Sequence, residues 1–119
     1  MYCMRNGKQA NTEDVTLYPA TLTASTAESF GPTVELGDRS VLRCTVEVFS
    51  KSGTQTSLDV TVQTSKDGVT FYTAKAFTQV GNSATSSERF AFAIDRFVRI
   101  RYVVVGSNAY TFSVTGEAS

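Results

Sequence analysis

The sequence contains no histidine and no tryptophan. Without imidazole it lacks the commonest general base, the commonest zinc ligand and every catalytic triad built on histidine. Without indole it lacks the broad aromatic platform that sugar-binding surfaces often use. Cysteine occurs only twice, at Cys3 and Cys44, too few for a disulfide scaffold. Neither sign of charge is in excess. The 11 Lys and Arg balance the 11 Asp and Glu, which argues against a nucleic-acid or membrane-surface binder that would need a basic surplus. Long apolar runs are missing too. A run such as Val103-Val104-Val105 is far too short to cross a bilayer. No apolar core follows Met1-Tyr2-Cys3-Met4-Arg5, so no signal peptide is expected. No Asn-x-Ser/Thr sequon occurs either.

What the chain does have points to β-structure. Its 119 residues hold 17 Thr, 13 Ser and 14 Val, with 41% hydrophobic and 18% charged residues. This is a globular, β-favouring mixture. A chain of this size makes one domain and buries roughly two-thirds of the surface it would expose unfolded. Residues 1–13 carry no periodicity and read as an N-terminal arm, with residues 14–119 as a single domain. Such an arm is expected to contact a neighbouring subunit or to add a strand to its own domain.

From Asp14 onward apolar and polar residues alternate with the period of a half-buried strand. Val15 and Leu17 begin the pattern. A Ser/Thr/Ala-rich stretch follows to Phe30, and Gly37-Asp38-Arg39 reads as a turn. Leu42, Cys44, Val46 and Val48 then alternate with Arg43, Thr45 and Glu47, which places the Cys44 thiol in a core; a Cys3–Cys44 bridge is the alternative. Leu58, Val60 and Val62 form the next strand, and Lys66-Asp67-Gly68 is a tight-turn signal because Asp-Gly supplies positive φ. The return strand is expected over residues 69–77, with Phe71 and Phe77 in the core. Further apolar faces are Phe90, Phe92 and Ile94; Val98, Ile100, Tyr102 and Val104; and Tyr110, Phe112 and Val114. About seven or eight short strands at roughly 8–12-residue spacing, with no helical period, predict an all-β antiparallel sandwich or barrel.

Reactive constellations are hard to find. No lysine follows a serine at the S-x-x-K spacing, no glycine-rich phosphate loop occurs, and no calcium loop is spelled out. Glu35 and Asp38 flank a turn and read as solvated carboxylates, with paired hydrolytic acids as the alternative. Hence no enzyme activity, no cofactor and no metal are expected. The most concentrated basic region is Arg89, Arg96, Arg99 and Arg101. Arg99 and Arg101 share the outward face of one strand, where they meet either an acidic partner or cross-strand residues such as Asp59 or Glu47. Candidate partner contacts are therefore Tyr2 and Arg5 in the arm, together with Arg99 and Arg101. Tyr18 and Tyr72 are further candidates for exposed aromatic contacts.

Residues 58–71 combine a strand with the motif Ser65-Lys66-Asp67-Gly68-Val69-Thr70-Phe71. Phe77-Thr78-Gln79-Val80, Arg96-Phe97-Val98-Arg99-Ile100-Arg101 and Phe112-Ser113-Val114-Thr115-Gly116 follow in order. Over residues 40–116 this succession resembles small β-sandwich virion proteins of tailed bacteriophages and, more distantly, discoidin-like (galactose-binding-like) jelly rolls. The resemblance implies a jelly-roll-like sandwich in which Asp67, Gly68 and Phe71 shape a structural hairpin. It also implies a non-enzymatic virion protein, made in the host cytoplasm: a capsid decoration or head-associated subunit. Its partners would be the major capsid protein, other virion proteins or further copies of itself, with no nucleic acid and no membrane. The alternative is a carbohydrate-binding or adhesion module of a phage tail or cell-surface protein.

Overall fold

A computed structural model describes residues 4–5, 8–9, 12–19, 23–24, 28–51, 57–81, 86–105 and 109–119, with backbone alone at residues 4, 5, 8, 9, 23, 24 and 51. The described residues form twelve strands and no helix: β1 (Met4–Arg5), β2 (Lys8–Gln9), β3 (Glu13–Tyr18), β4 (Thr23–Ala24), β5 (Ser29–Phe30), β6 (Val34–Glu35), β7 (Val41–Lys51), β8 (Ser57–Ser65), β9 (Tyr72–Ala76), β10 (Ser86–Ala93), β11 (Phe97–Val105) and β12 (Tyr110–Ala118). Seven of these, β3 and β7 to β12, are five residues or longer, in line with the strand count the alternation predicts.

Two five-stranded antiparallel sheets make the sandwich. The first runs β10-β7-β12-β3, with β4 also on β12; the second runs β5-β11-β8-β9, with β6 also on β11. Since β3 and β4 share one neighbour, and β5 and β6 share another, each pair acts as one interrupted strand. Counting eight positions in chain order, the sheets then read 1-8-3-6 and 2-7-4-5. This is the double Greek-key order of a jelly roll. Only positions 4 and 5, β8 and β9, are consecutive neighbours in one sheet. Every other step crosses between sheets and so brings distant segments together. β1 and β2 pair with each other and join neither large sheet.

The core lies between the sheets and follows the alternation. Leu42, Cys44, Val46 and Val48 of β7 face Leu58, Val60 and Val62 of β8, and all are buried. Val98, Ile100, Tyr102 and Val104 of β11 and Tyr110, Phe112 and Val114 of β12 complete it. At its centre Phe112 stacks on Tyr18, with ring centroids 4.3 Å apart, and Tyr102 meets both rings edge-on. Phe77 forms a second aromatic cluster with Phe90 and Phe92. The buried Thr64 hydroxyl donates to the Phe97 carbonyl at 2.9 Å and accepts the Asp95 N–H at 2.7 Å. This ties β8 to the turn before β11, and no buried side-chain N or O among the described residues lacks a partner.

Several sequence expectations change. Tyr18 is a core residue, 4% exposed, because a one-residue register shift in the β12–β3 pairing puts both Leu17 and Tyr18 inside. The Ser/Thr/Ala-rich stretch contributes the short strands β4 and β5, and β6 follows it. The return strand is shorter than residues 69–77: it begins at Tyr72 and ends at Ala76. Phe77 is buried as expected, whereas Phe71 is only half-buried and lies outside the core. Cys44 is buried as a free thiol.

Candidate functional site

The outer face of the second sheet carries two of the sequence-predicted contact residues, Arg99 and Arg101. Because Val98, Ile100, Tyr102 and Val104 fill the core, β11 must present Phe97, Arg99, Arg101 and Val103 on its other side. Arg101 Nε donates to Glu28 Oε2 at 2.6 Å. The neighbouring Arg96 is ion-paired with Glu35. Asp38 sits exposed in the Gly37 turn. Arg101 and Arg96 therefore find local carboxylates, but neither Asp59 nor Glu47 supplies them. Asp59 accepts a hydrogen bond from Gln79 instead, at 3.0 Å.

Arg99 is held differently. Its Nε donates at 2.8 Å to Oε1 of Gln63, the residue directly opposite on β8. Its guanidinium carbon lies 3.9 Å from the Phe71 ring centroid and 4.3 Å from that of Phe30. The rings arrive from the two flanks of β11: Phe30 from β5 on one side, Phe71 from the β8–β9 loop on the other. Such cation–π contacts are worth about 0.5–1 kcal/mol each at exposed sites. Among the described residues Arg99 has no carboxylate partner and no hydrogen bond to either Nη.

The loop that delivers Phe71 is built by Asp67. A tight turn at Lys66-Asp67-Gly68 is the sequence expectation; six residues, 66–71, separate the strands. Asp67 Oδ1 accepts the Thr70 N–H at 3.0 Å, the Val69 N–H at 2.9 Å and the Ser65 hydroxyl at 2.9 Å. The Ser65 hydroxyl oxygen in turn accepts the Gly68 N–H at 2.9 Å. These donors stabilise the carboxylate, the Thr70 and Val69 amides first, and lower its pKa to about 2. Gly68 takes φ +78° and packs under the Phe97 ring, where an added Cβ would meet ring carbons at 3.4 Å. Asp67, Gly68 and Phe71 thus do shape the connection, but by folding a loop back over the sheet. The structure thereby joins two sets of residues that the sequence treats as separate, the loop and the β11 arginines. Phe30 and Gln63, which complete the arrangement, are missed by sequence reasoning because their pairing is long-range. Tyr2 lies outside the described residues, as does the side chain of Arg5.

Large apolar side chains remain exposed on this sheet and its loop: Phe30 at 45%, Val69 at 81%, Tyr72 at 46% and Val105 at 54%. Glu88 accepts the Thr78 N–H and hydroxyl, both at 2.7 Å, beside a cleft of about 110 Å³ lined by Val46, Val60 and Phe77. Burial pushes the Cys44 thiol up to about 12, so it stays protonated and unreactive. Among the described residues no cluster of three or more His, Cys, Asp or Glu is placed to hold a metal ion.

No protein-family model and no curated protein sequence matches the chain. Solved structures do. The SPBc2 prophage-derived protein YomS matches 90% of this chain over 91% of its own, at 14% identity and a TM-score of 0.50. The infectious bursal disease virus Gt strain structure matches 98% of this chain at 13% identity and a TM-score of 0.55, and the match spans 36% of the viral chain. A CBM4 structure matches 100% of this chain and 76% of its own, at 14% identity and a TM-score of 0.51. At such identities the likeness is one of fold. The chain is an antiparallel β-sandwich of the kind found in this prophage-derived protein, this virus and this CBM4 module.

Proposed function

We propose that the chain is a non-enzymatic structural protein of a bacteriophage virion. In this reading it is a capsid decoration or head-associated subunit that binds the capsid lattice or further copies of itself. The contact surface is the outer face of the β5-β11-β8-β9 sheet with its 66–71 loop. The observation that carries the reading is the exposure of Phe30, Val69 and Val105 on that one sheet and loop, with an arginine already held in place by Phe30 and Phe71. Exposed apolar groups gathered this way mark an interaction surface, and a side chain fixed before binding loses little entropy when a partner arrives. Zero net charge lets many copies sit close without mutual repulsion. The fold likeness to a prophage-derived protein over nearly the whole of both chains is in keeping with such an origin.

Density-gradient fractionation of lysates from cells producing the chain tests the reading. The chain is expected in the particle fractions, and a Phe30→Ser/Val69→Ser double variant is expected to move at least tenfold toward the free-protein fractions. Wild-type chain confined to the free-protein fractions refutes it. A second reading, a carbohydrate-binding or adhesion module, draws on the exposed rings of Phe30 and Tyr72. It is supported instead if a glycan array yields a ligand whose binding Phe30→Ala and Tyr72→Ala abolish.

A further inference from the structure

We infer that the free edge of the Arg99 guanidinium is a docking site for a carboxylate on an acidic segment of a protein partner. The inference rests on the reading of this sheet face as the contact surface and names the chemistry that the face recognises.

Guanidinium geometry carries it. The Phe71 and Phe30 rings stand 3.9 Å and 4.3 Å from the Arg99 guanidinium carbon, and the Nε–H is committed to Gln63. What remains for a ligand is the end-on fork of the two Nη groups. That fork matches a planar, two-oxygen acceptor, which it binds through paired N–H···O bonds. Three arginines lie close together here, yet Arg96 carries Glu35 and Arg101 carries Glu28. Arg99 alone among the three has no carboxylate of its own.

Charge selects among oxyanions. The Arg96–Glu35 and Arg101–Glu28 pairs cancel and Lys66 is offset by the adjacent Asp67, while Asp59 lies four positions along β8 from Gln63, so the charge nearest a ligand here is that of Arg99. A monoanion satisfies it. A phosphate dianion or a run of phosphates would instead face the carboxylates of Glu28 and Glu35. The exposed Phe30 and Val69 add apolar contact for side chains that flank the acid. The fitting partner is thus a protein segment with one Asp or Glu set among apolar residues.

The test titrates isotope-labelled full-length protein with acetyl-Phe-Glu-Phe-amide and follows the Arg99 Nε–Hε resonance. The Glu peptide is expected to shift it with a Kd of about 1 mM, and acetyl-Phe-Gln-Phe-amide is expected to bind at least about tenfold more weakly. An Arg99→Lys variant, checked for folding by circular dichroism and followed through the Gln63 side-chain amide resonance, keeps the charge but loses the fork and is expected to lose the same factor. Equal responses to the Glu and Gln peptides overturn the inference, and that comparison stands on the wild-type chain alone should the variant misfold. So does a shift produced by inorganic phosphate at lower concentration than the Glu peptide requires. A chain that sediments with particles but ignores the carboxylate sinks this inference only. One that binds the carboxylate but stays off particles sinks only the virion reading.

Discussion

Truncating Phe112 to alanine strikes the centre of the sandwich. The side chain is fully buried in the middle of β12, stacked on Tyr18 at 4.3 Å and edge-on to Tyr102 at 5.7 Å. Losing the ring forfeits its burial, leaves a cavity that two sheets held by their own ladders cannot close, and removes two ring–ring contacts. Buried Phe-to-Ala changes cost about 3–5 kcal/mol. The two ring contacts, at about 0.5–1.5 kcal/mol each, place this site in the upper half of that range. A chain of 119 residues is expected to be stable by about 6–18 kcal/mol, taking about 0.05–0.15 kcal/mol per residue. A loss of about 4 kcal/mol therefore removes between a fifth and two-thirds of it. Urea unfolding followed by tyrosine fluorescence is the assay. With a slope of about 2 kcal/mol/M, the midpoint should fall by about 2 M while the slope stays unchanged. Phe30→Ala is the internal control. That ring is 45% exposed and its chief contact is with Arg99, so about 1 kcal/mol or less is expected. A Phe112→Ala midpoint that moves no further than the Phe30→Ala midpoint would refute the placement of Phe112 at the core centre.

Two other perturbations test the local chemistry. Asp67 has its pKa lowered from 3.8 to about 2 in the folded chain, so the unfolded chain binds the proton more readily. Its contribution is fully present above about pH 4 and is lost as pH falls from 3.8 toward 2. Asp67→Asn should flatten that part of the stability–pH curve in urea titrations at acid pH, and an Asp67 carboxyl that titrates by NMR at 3.8 or above would refute the loop geometry. At Gly116 an added Cβ would lie 2.5 Å from the Arg43 carbonyl oxygen and 2.9 Å from Leu42 Cδ1. Because the first obstacle is backbone of the paired strand, Gly116→Ala should cost about 1–3 kcal/mol by denaturant titration, and an unchanged midpoint would contradict the closeness of β7 and β12.

Much of this architecture is written in local order. Alternation over residues 42–48, 58–62 and 98–104 selects extended backbone, and it also decides which side chains turn inward. The inward set matches the buried set because a strand has only two faces. Turn residues mark where strands stop, as at Gly37 with φ +64° and Gly68 with φ +78°. What alternation leaves open is which strands become neighbours. The jelly-roll order depends on pairings such as Phe112 with Val48 and Arg99 with Gln63. Loop closure and core packing choose those pairings together, and no short window of sequence contains them. Tyr18 shows the same limit: a register shift against β12, invisible in β3 alone, turned an expected surface tyrosine into core. Phe71 shows it most clearly. Its phase marks it as an interior residue, yet the hydrogen bonds of Asp67 lengthen the turn and lay the ring over Arg99. Local sequence fixed each strand and its two faces, whereas the surface that gathers Phe30, Gln63, Phe71 and Arg99 exists only once the distant strands lie side by side.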